Sequence, residues 1–173
     1  MASLWPSLVA MRTLLLLRHA KSDYPADTVD HQRPLAPRGE REARLAGEWL
    51  RSNAPTVDAV LCSTATRTRL TLDRTGIDAP VSFVDRLYDS TPGIVLAEIN
   101  EIGDEVSTLL VVGHEPVMSG LALGLAGDDS DPATVTEIES KYPTSAISRL
   151  EVSCSWRDLQ LGGARLAEFH VPR

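Results

Sequence analysis

Arginine and histidine side chains follow three of the apolar runs in this 173-residue sequence. They are Arg18 and His19 after residues 14–17, Arg67 after residues 57–62, and His114 after residues 108–112. Because ligands of open α/β sheets bind beyond the carboxyl ends of the strands, we expect these side chains to converge on one crevice. Guanidinium groups match the geometry of phosphate oxygens, and helices starting after positions 63 and 114 would add backbone donors. The spacing therefore predicts a phosphate-binding crevice.

Each of these positions has an ordinary explanation when it is taken alone. An Arg-His pair after a strand is usually a surface pair, a first-turn arginine such as Arg67 is usually solvated, and Gly113-His114 fits a helix cap. Their joint placement at three strand ends favours a shared site instead. His31 in a polar loop and His170 in the last apolar segment are assigned structural roles.

Other phosphoryl-transfer motifs are absent from the sequence. A cysteine nucleophile needs an arginine six positions later, where Cys62 is followed by Thr68, and Arg67 falls one position short. Residues 129–133 depart from the Asp-x-Asp-x-Thr pattern and follow a predicted helix, so we expect an exposed loop there. There is no Gly-x-x-x-x-Gly-Lys loop, and the four histidines lack paired ligand spacing. The sequence therefore predicts no metal site and no cofactor.

The apolar patterns alternate between strand and helix along the chain. Strands are predicted at residues 14–17, 57–62, 81–84, 108–112, 146–152 and 165–170, and helices at residues 39–51, 64–75, 92–102 and 115–126. Ser63 is the expected N-cap of the second helix, and residues 128–132 are expected to form an acidic loop. This alternation predicts an α/β fold: a three-layer α/β/α sandwich with a mainly parallel sheet and an antiparallel edge.

Length and composition limit the remaining possibilities. With 43% hydrophobic residues we expect one core, a flexible N-terminal tail over residues 1–12 and a single domain over residues 13–173. Met1 and Met11 are both candidate start sites, and residues 1–10 lack the features of a signal peptide. No apolar run reaches the roughly 20 residues that cross a bilayer. The net charge of -7 disfavours nucleic acid as a partner, and two widely spaced cysteines fit a cytoplasmic setting.

Three segments resemble, in order, the signatures of the histidine phosphatase superfamily, which is also called phosphoglycerate-mutase-like. Residues 15–22 (LLLRHAKS) resemble its Arg-His-Gly signature, residues 63–68 (STATRT) its Ser-x-Ala-x-Arg segment, and residues 112–116 (VGHEP) its second-histidine segment. Within the superfamily, residues 30–35 (DHQRPL), Gly39, residues 87–88 and residues 144–146 are similar to the small bacterial phosphohistidine phosphatases. The likeness covers about residues 13–150. Ala20 stands where most members have glycine, a change that the phosphohistidine branch shares.

The resemblance implies a role for each matching residue. His19 would be the nucleophile that forms a phosphohistidine intermediate, and Arg18, Arg67 and His114 would bind the transferring phosphoryl oxygens. No metal or cofactor is needed for that step, because an unprotonated imidazole is available near neutral pH.

Three further residues are carried over with the resemblance. Lys21 and Ser22 would line the same pocket and contact the substrate. The glutamate that many members use as general acid has no clear counterpart in this sequence, and Asp89 is the candidate for that role.

The implied activity is that of a metal-independent phosphatase. The resemblance favours protein phosphohistidine as the substrate, so that the partner would be a phosphorylated protein such as a histidine phosphocarrier. Two alternatives stay open: a phosphatase of small phosphoesters with the same pocket, and a non-catalytic module that binds phosphoproteins. A mutase is disfavoured, since the chain lacks the long insertions that close over a sugar phosphate.

Overall fold

The computed structural model describes residues 10–173 of the chain. Strands and α-helices follow one another there as β1 (Arg12–Arg18), α1 (Pro37–Asn53), β2 (Ala59–Ser63), α2 (Thr66–Thr75), β3 (Val81–Val84), α3 (Pro92–Asn100), β4 (Thr108–Gly113), α4 (Val117–Leu125), α5 (Pro132–Ser140), β5 (Ile147–Val152) and β6 (Ala164–His170). Residues 1–9 of the predicted N-terminal tail lie outside the described residues, whereas Arg12, predicted as the end of the tail, is the first residue of β1. No helix within residues 10–173 is long and apolar enough to cross a membrane.

The strands of the described chain form one sheet in the order β3-β2-β4-β1-β5-β6. β3, β2, β4 and β1 are parallel, whereas β5 is antiparallel to β1 and β6 is antiparallel to β5. The predicted mainly parallel sheet with an antiparallel edge is therefore confirmed.

The leucine run of β1 is buried on both faces of this sheet, with residues 14–17 fully inaccessible to solvent. Leu14 and Leu16 pack among side chains of α3 and α4 on one face, and Leu15 and Leu17 pack against α1 on the other. Alternate side chains of a strand point to opposite faces, so an uninterrupted apolar run requires cover on both. Each buried leucine contributes about 1.5–3 kcal/mol to that packing. The three-layer prediction is confirmed.

One local prediction about helices was wrong, and one helix was not predicted. α2 begins at Thr66 with Ala65 as its N-cap, and the Ser63 hydroxyl does not cap the helix. The acidic loop continues into α5, whose N-cap is Asp131: its carboxylate accepts hydrogen bonds from the amide (3.3 Å) and hydroxyl (2.7 Å) of Thr134. The Asp-rich motif is thus the start of a helix, which the poor helix propensity of its Thr and Val residues conceals in the sequence.

The topology brings the predicted strand ends together. Arg18 at the end of β1 is in register with Gly113 at the end of β4, and the His19 amide donates to the Gly113 carbonyl (2.9 Å). β2 lies on the other side of β4 and ends at Ser63. Gly39 lets α1 pack directly on the segment after β1, because a Cβ there would lie 2.0 Å from the Lys21 carbonyl oxygen. Three strands and one helix therefore fix the walls of a single crevice.

Candidate active site

His19 lies directly after β1, with 8% of its surface exposed. Its Nδ1–H donates a hydrogen bond to the Ala20 carbonyl oxygen (2.7 Å), which leaves the lone pair on Nε2. Burial lowers the pKa of His19 to about 3, and the nearby His114 and Arg67 lower it in the same direction. The ring is therefore neutral at physiological pH and carries an available nucleophilic nitrogen.

His114 lies after β4, and its ring centroid is 5.3 Å from that of His19. Its Nε2 is 2.8 Å from the Ser63 hydroxyl, while its Nδ1 is buried and has no hydrogen-bond partner among residues 10–173. Burial, followed by the charge of Arg67, lowers the pKa of His114 to about 4. A buried ring nitrogen without a partner is costly unless a ligand supplies one.

Two arginines flank the histidines, and each is oriented by the protein backbone. Arg18 donates from Nη1 to the Tyr142 carbonyl oxygen (2.8 Å), and burial lowers the pKa of its guanidinium. Arg67, in the first turn of α2, donates from Nη1 to the Asp30 carbonyl oxygen (2.9 Å) and from Nη2 to the Asp30 carboxylate (3.1 Å). Both guanidinium groups are thereby held in place before any ligand binds.

Asp30 connects several side chains at the mouth of the crevice. Besides Arg67, its carboxylate accepts hydrogen bonds from Arg33 Nη1 (2.9 Å) and from the Tyr88 hydroxyl (2.5 Å). The Tyr88 hydrogen bond, with those of Arg33 and Arg67, holds the pKa of Asp30 well below its usual range. Asp30 is therefore ionised, and it serves as an acceptor and not as a proton donor.

A cavity of about 190 Å³ opens where these groups meet. It is lined by Arg18, His19, Lys21, Ser22, Tyr24, Arg33, Arg67 and Thr144. Larger hollows elsewhere, such as one of about 250 Å³ between the end of α1 and the loop after α2, contain none of these residues. The cavity lining holds four cationic side chains, which favours an anion of the size of a phosphoryl group.

Five residues predicted from the sequence share this cavity, and His114 lies beside it. Ser22 accepts a hydrogen bond from Arg33, whose guanidinium also lies 3.5 Å over the ring of Tyr24. Arg33, Tyr24 and Thr144 were not predicted as site residues. Arg33 and Thr144 belong to the segments 30–35 and 144–146 that carried the family resemblance, so a signal for them was present.

Asp89, the candidate acid, does not line the cavity. It is exposed, it follows Tyr88 in the chain, and its backbone adopts a positive φ of 50°. Glu115 accepts hydrogen bonds from the amide (2.6 Å) and hydroxyl (2.7 Å) of Ser119, so its carboxylate is tied to α4. The cavity wall contains no carboxylate within the described part of the chain.

His31, which was assigned a structural role, lies at the edge of the site. Its Nε2 is 3.0 Å from the Thr64 hydroxyl, and its ring meets the Tyr88 ring edge-on at 4.7 Å. His170 stacks on Trp49 in the distant part of the molecule. Within residues 10–173, no three His, Cys, Asp or Glu side chains cluster as ligands for a metal ion would.

This chain is similar to known proteins over most of its length. The family model of the histidine phosphatase superfamily (branch 1) matches residues 14–95. An uncharacterized protein of Mycobacterium tuberculosis (strain ATCC 25618 / H37Rv) is 60% identical over 158 residues, which is 91% of this chain and 100% of that protein. The structure of a putative phosphohistidine phosphatase SixA from Nakamurella multipartitia superposes with a TM-score of 0.87 at 38% identity, covering 94% of this chain and 97% of that one.

A more distant relative is the phosphohistidine phosphatase SixA of Escherichia coli (strain K12), which is 29% identical over 130 residues, or 71% of this chain and 80% of that protein. The shared fold, the matching motifs and the convergent Arg-His-Arg-His cluster lead to one assignment. This chain belongs to the histidine phosphatase superfamily, where it groups with proteins described as phosphohistidine phosphatases, and its activity is that of a phosphatase.

Proposed function

We propose that this protein is a metal-independent phosphatase that transfers a phosphoryl group to Nε2 of His19, and that its substrate is a phosphohistidine side chain of another protein. The observation that carries the proposal is the hydrogen bond between Nδ1 of His19 and the Ala20 carbonyl oxygen. Because Nδ1–H is committed to the Ala20 carbonyl oxygen, the lone pair lies on the other ring nitrogen of a neutral imidazole.

The reaction proceeds in two steps, phosphoryl transfer to His19 and hydrolysis of the resulting phosphohistidine. His19 Nε2 attacks phosphorus, a P–Nε2 bond forms, and the bond to the leaving group breaks, with the electron pair departing on that group. Water then attacks the phosphorus of the phosphohistidine, and the P–Nε2 bond breaks with its electron pair returning to Nε2. The neutral ring is restored, and inorganic phosphate departs with the protons of the water. Arg18, Arg67 and His114 bind the phosphoryl oxygens and stabilise their charge in both transition states, while Lys21 and Ser22 contact the substrate from the cavity wall.

Among residues 10–173 the cavity wall contains no carboxylate, which supports a substrate with a good leaving group. An alkyl phosphate expels an alkoxide and needs a positioned acid. A phosphohistidine ring can be protonated on its other nitrogen near neutral pH, since imidazole has a pKa of about 6.5, and it then departs as neutral imidazole without a further acid. The names of the relatives of known description point to the same substrate class. A phosphorylated protein, such as a histidine phosphocarrier, fits as the partner because the mouth of the site is exposed.

The test is to trap the intermediate. Rapid quenching of the enzyme with a radiolabelled phosphohistidine peptide should give an acid-labile, alkali-stable label on His19. His19→Ala should lose the label and the activity, while His170→Ala, the same change far from the cavity, should keep both. Full turnover by His19→Ala would refute the assignment.

Metal independence and substrate class are tested in the same assay. A chelator should leave the rate unchanged, and loss of activity that magnesium or zinc restores would contradict the proposal. Small phosphoesters that are hydrolysed with higher kcat/KM than phosphohistidine peptides would move the assignment to a small-molecule phosphatase. Binding of phosphopeptides without any turnover would identify a non-catalytic module.

A further inference from the structure

We infer that Ser63 is a positioning residue: its hydroxyl donates to Nε2 of His114 and so places the ring proton on Nδ1, from which it is donated to a phosphoryl oxygen. The inference deepens the proposed function and rests on it for the identity of the ligand. The tautomer of His114 in the free enzyme can be measured without any substrate.

The hydrogen bonds of Ser63 determine where its proton goes. Ser63 ends β2, is completely buried, and accepts a hydrogen bond from the Ala65 amide (3.3 Å). Its oxygen is 2.8 Å from His114 Nε2. An amide can only donate, so the hydroxyl proton is free for His114, and it has no other acceptor among residues 10–173. Nε2 of His114 is then an acceptor, and Nδ1 carries the hydrogen.

The opposite tautomer would leave two defects in the site. If Nε2 carried the hydrogen, the buried Ser63 hydroxyl would lack an acceptor. Nδ1 of His114 would then turn a lone pair, instead of a donor, toward the position of an anionic phosphoryl group. Each buried polar group without a partner costs about 1–3 kcal/mol. The arrangement with Ser63 as donor to His114 has neither defect.

Nδ1 is the ring nitrogen of His114 that is left for a phosphoryl oxygen, because Nε2 is already bonded to Ser63. The atom is buried and has no partner in the described chain, and the ring lies 5.3 Å from the ring of His19. Arg67, which lines the cavity, is near enough for its charge to lower the pKa of His114. A phosphoryl group on the nucleophile would thus give this donor its missing acceptor.

The two histidines of the site therefore carry their ring hydrogen on the same atom, Nδ1, but different groups hold it there. A backbone carbonyl holds the hydrogen of His19 on Nδ1 and frees Nε2 for attack. A serine hydroxyl holds the hydrogen of His114 on Nδ1 and makes that atom a donor. This also explains why α2 is capped at Ala65 and not at Ser63, since the Ser63 hydroxyl is already engaged by His114 and by the Ala65 amide.

The experiment compares Ser63→Ala with Thr75→Val. Thr75 is an apt control, because its hydroxyl is equally buried, donates to the Leu72 carbonyl oxygen and accepts from the Ile77 amide (3.3 Å), but lies at the far end of α2. Long-range ¹H–¹⁵N correlation spectra of ring-labelled protein report which nitrogen of His114 carries the proton. Wild type and Thr75→Val should show Nδ1–H, and Ser63→Ala should shift population to Nε2–H.

The kinetic result should follow the tautomer. We expect kcat for a phosphohistidine peptide to fall roughly 10- to 100-fold in Ser63→Ala with little change in KM, and to stay near the wild-type value in Thr75→Val. A wild-type spectrum with the proton on Nε2 would overturn the inference even if Ser63→Ala failed to fold. So would a Ser63→Ala protein with unchanged tautomer and rate. Absence of a label on His19 in wild type would instead refute the proposed function and leave the tautomer result standing.

Discussion

The site has two regions that are built differently. The floor, defined here as Arg18, His19, Ser63 and His114, comes from the ends of β1, β2 and β4 and is anchored by the backbone and by one buried hydroxyl. The rim, defined as Tyr24, Asp30, Arg33 and Tyr88, belongs to loops and short turns and is held by side chains binding one another. His19 is 8% exposed, whereas Tyr24 is 71% exposed.

The different construction of floor and rim suits them to different functions. In the water-poor floor, electrostatic interactions are strong and their geometry is fixed, as stabilisation of a transition state requires. Ion pairs at an exposed rim are screened and contribute little energy each, but they are the first groups that an approaching substrate meets. We therefore expect the floor to set the rate for every substrate and the rim to choose among substrates.

The strongest test makes the same substitution in the floor and at a histidine that borders the rim. His114→Ala removes a donor from the floor and should lower kcat/KM by about 10²- to 10³-fold for phosphohistidine and p-nitrophenyl phosphate alike. His31→Ala, next to the rim, should lower it by only about 2- to 5-fold, since the ring contacts Tyr88 and Thr64 and not the cavity. Equal losses in the two variants would abolish the distinction between floor and rim.

The next effect in size concerns Arg67, which links the regions. Asp30→Asn keeps the shape of the side chain but removes the charge that holds Arg67 and Arg33. We expect kcat/KM to fall about 10-fold at low salt. The loss should be smaller in high salt, because the Asp30 carboxylate is half-exposed and salt screens its ion pairs in the wild-type protein as well. Asp131→Asn, the same charge change at the cap of α5, should leave the rate unchanged; a comparable fall there would indicate a general effect of net charge.

Arg18, His19 and His114 of the floor could be predicted from the sequence, whereas the contacts within the rim could not. Strand periodicity is local, and the rule that ligands bind beyond the carboxyl ends of parallel strands converts it into convergence of Arg18, His19 and His114. Nothing in local spacing indicates that Asp30, in a polar loop, would meet Arg67 thirty-seven residues later. That contact depends on the path of the loop between β1 and α1, which is a tertiary property.

Ser63 shows a different limit of sequence reasoning. A serine before a helical pattern fits the N-cap rule, and the same hydroxyl fits a partner for a buried histidine. Only the position of β4 beside β2 decides between the two, because it brings His114 within 2.8 Å. The competition is resolved by packing and therefore cannot be read from residue order.

A smaller effect is expected on the free energy of unfolding when the pH is lowered. The pKa of His19 is lowered to about 3 and that of His114 to about 4. Below about pH 6.5 both histidines are therefore protonated in the unfolded chain but remain neutral in the folded protein. Stability is therefore complete above about pH 6.5 and is lost as the pH falls toward 4, by roughly 1 kcal/mol per pH unit for each ring. Urea unfolding at several pH values measures this slope. His114→Asn should flatten it and Thr75→Val should not; a slope unchanged in His114→Asn would show that the floor does not hold a neutral His114.

The smallest effect is expected at Asp89, which the structure places outside both regions. Its side chain is exposed and the cavity lining does not include it, so no route for proton donation to a leaving group is evident in the described chain. Asp89→Asn should therefore change kcat/KM by less than about 2-fold for phosphohistidine and p-nitrophenyl phosphate, whose leaving groups depart without an acid. Alkyl phosphates should be poor substrates of both proteins, because neither supplies a proton to the alkoxide.

The measurement is kcat/KM for all three substrate types in wild type and variant, with Asp85→Asn as an exposed control nearby. Rapid hydrolysis of an alkyl phosphate that collapses in Asp89→Asn alone would identify Asp89 as the general acid, extend the catalytic machinery beyond the floor, and favour small phosphoesters as substrates.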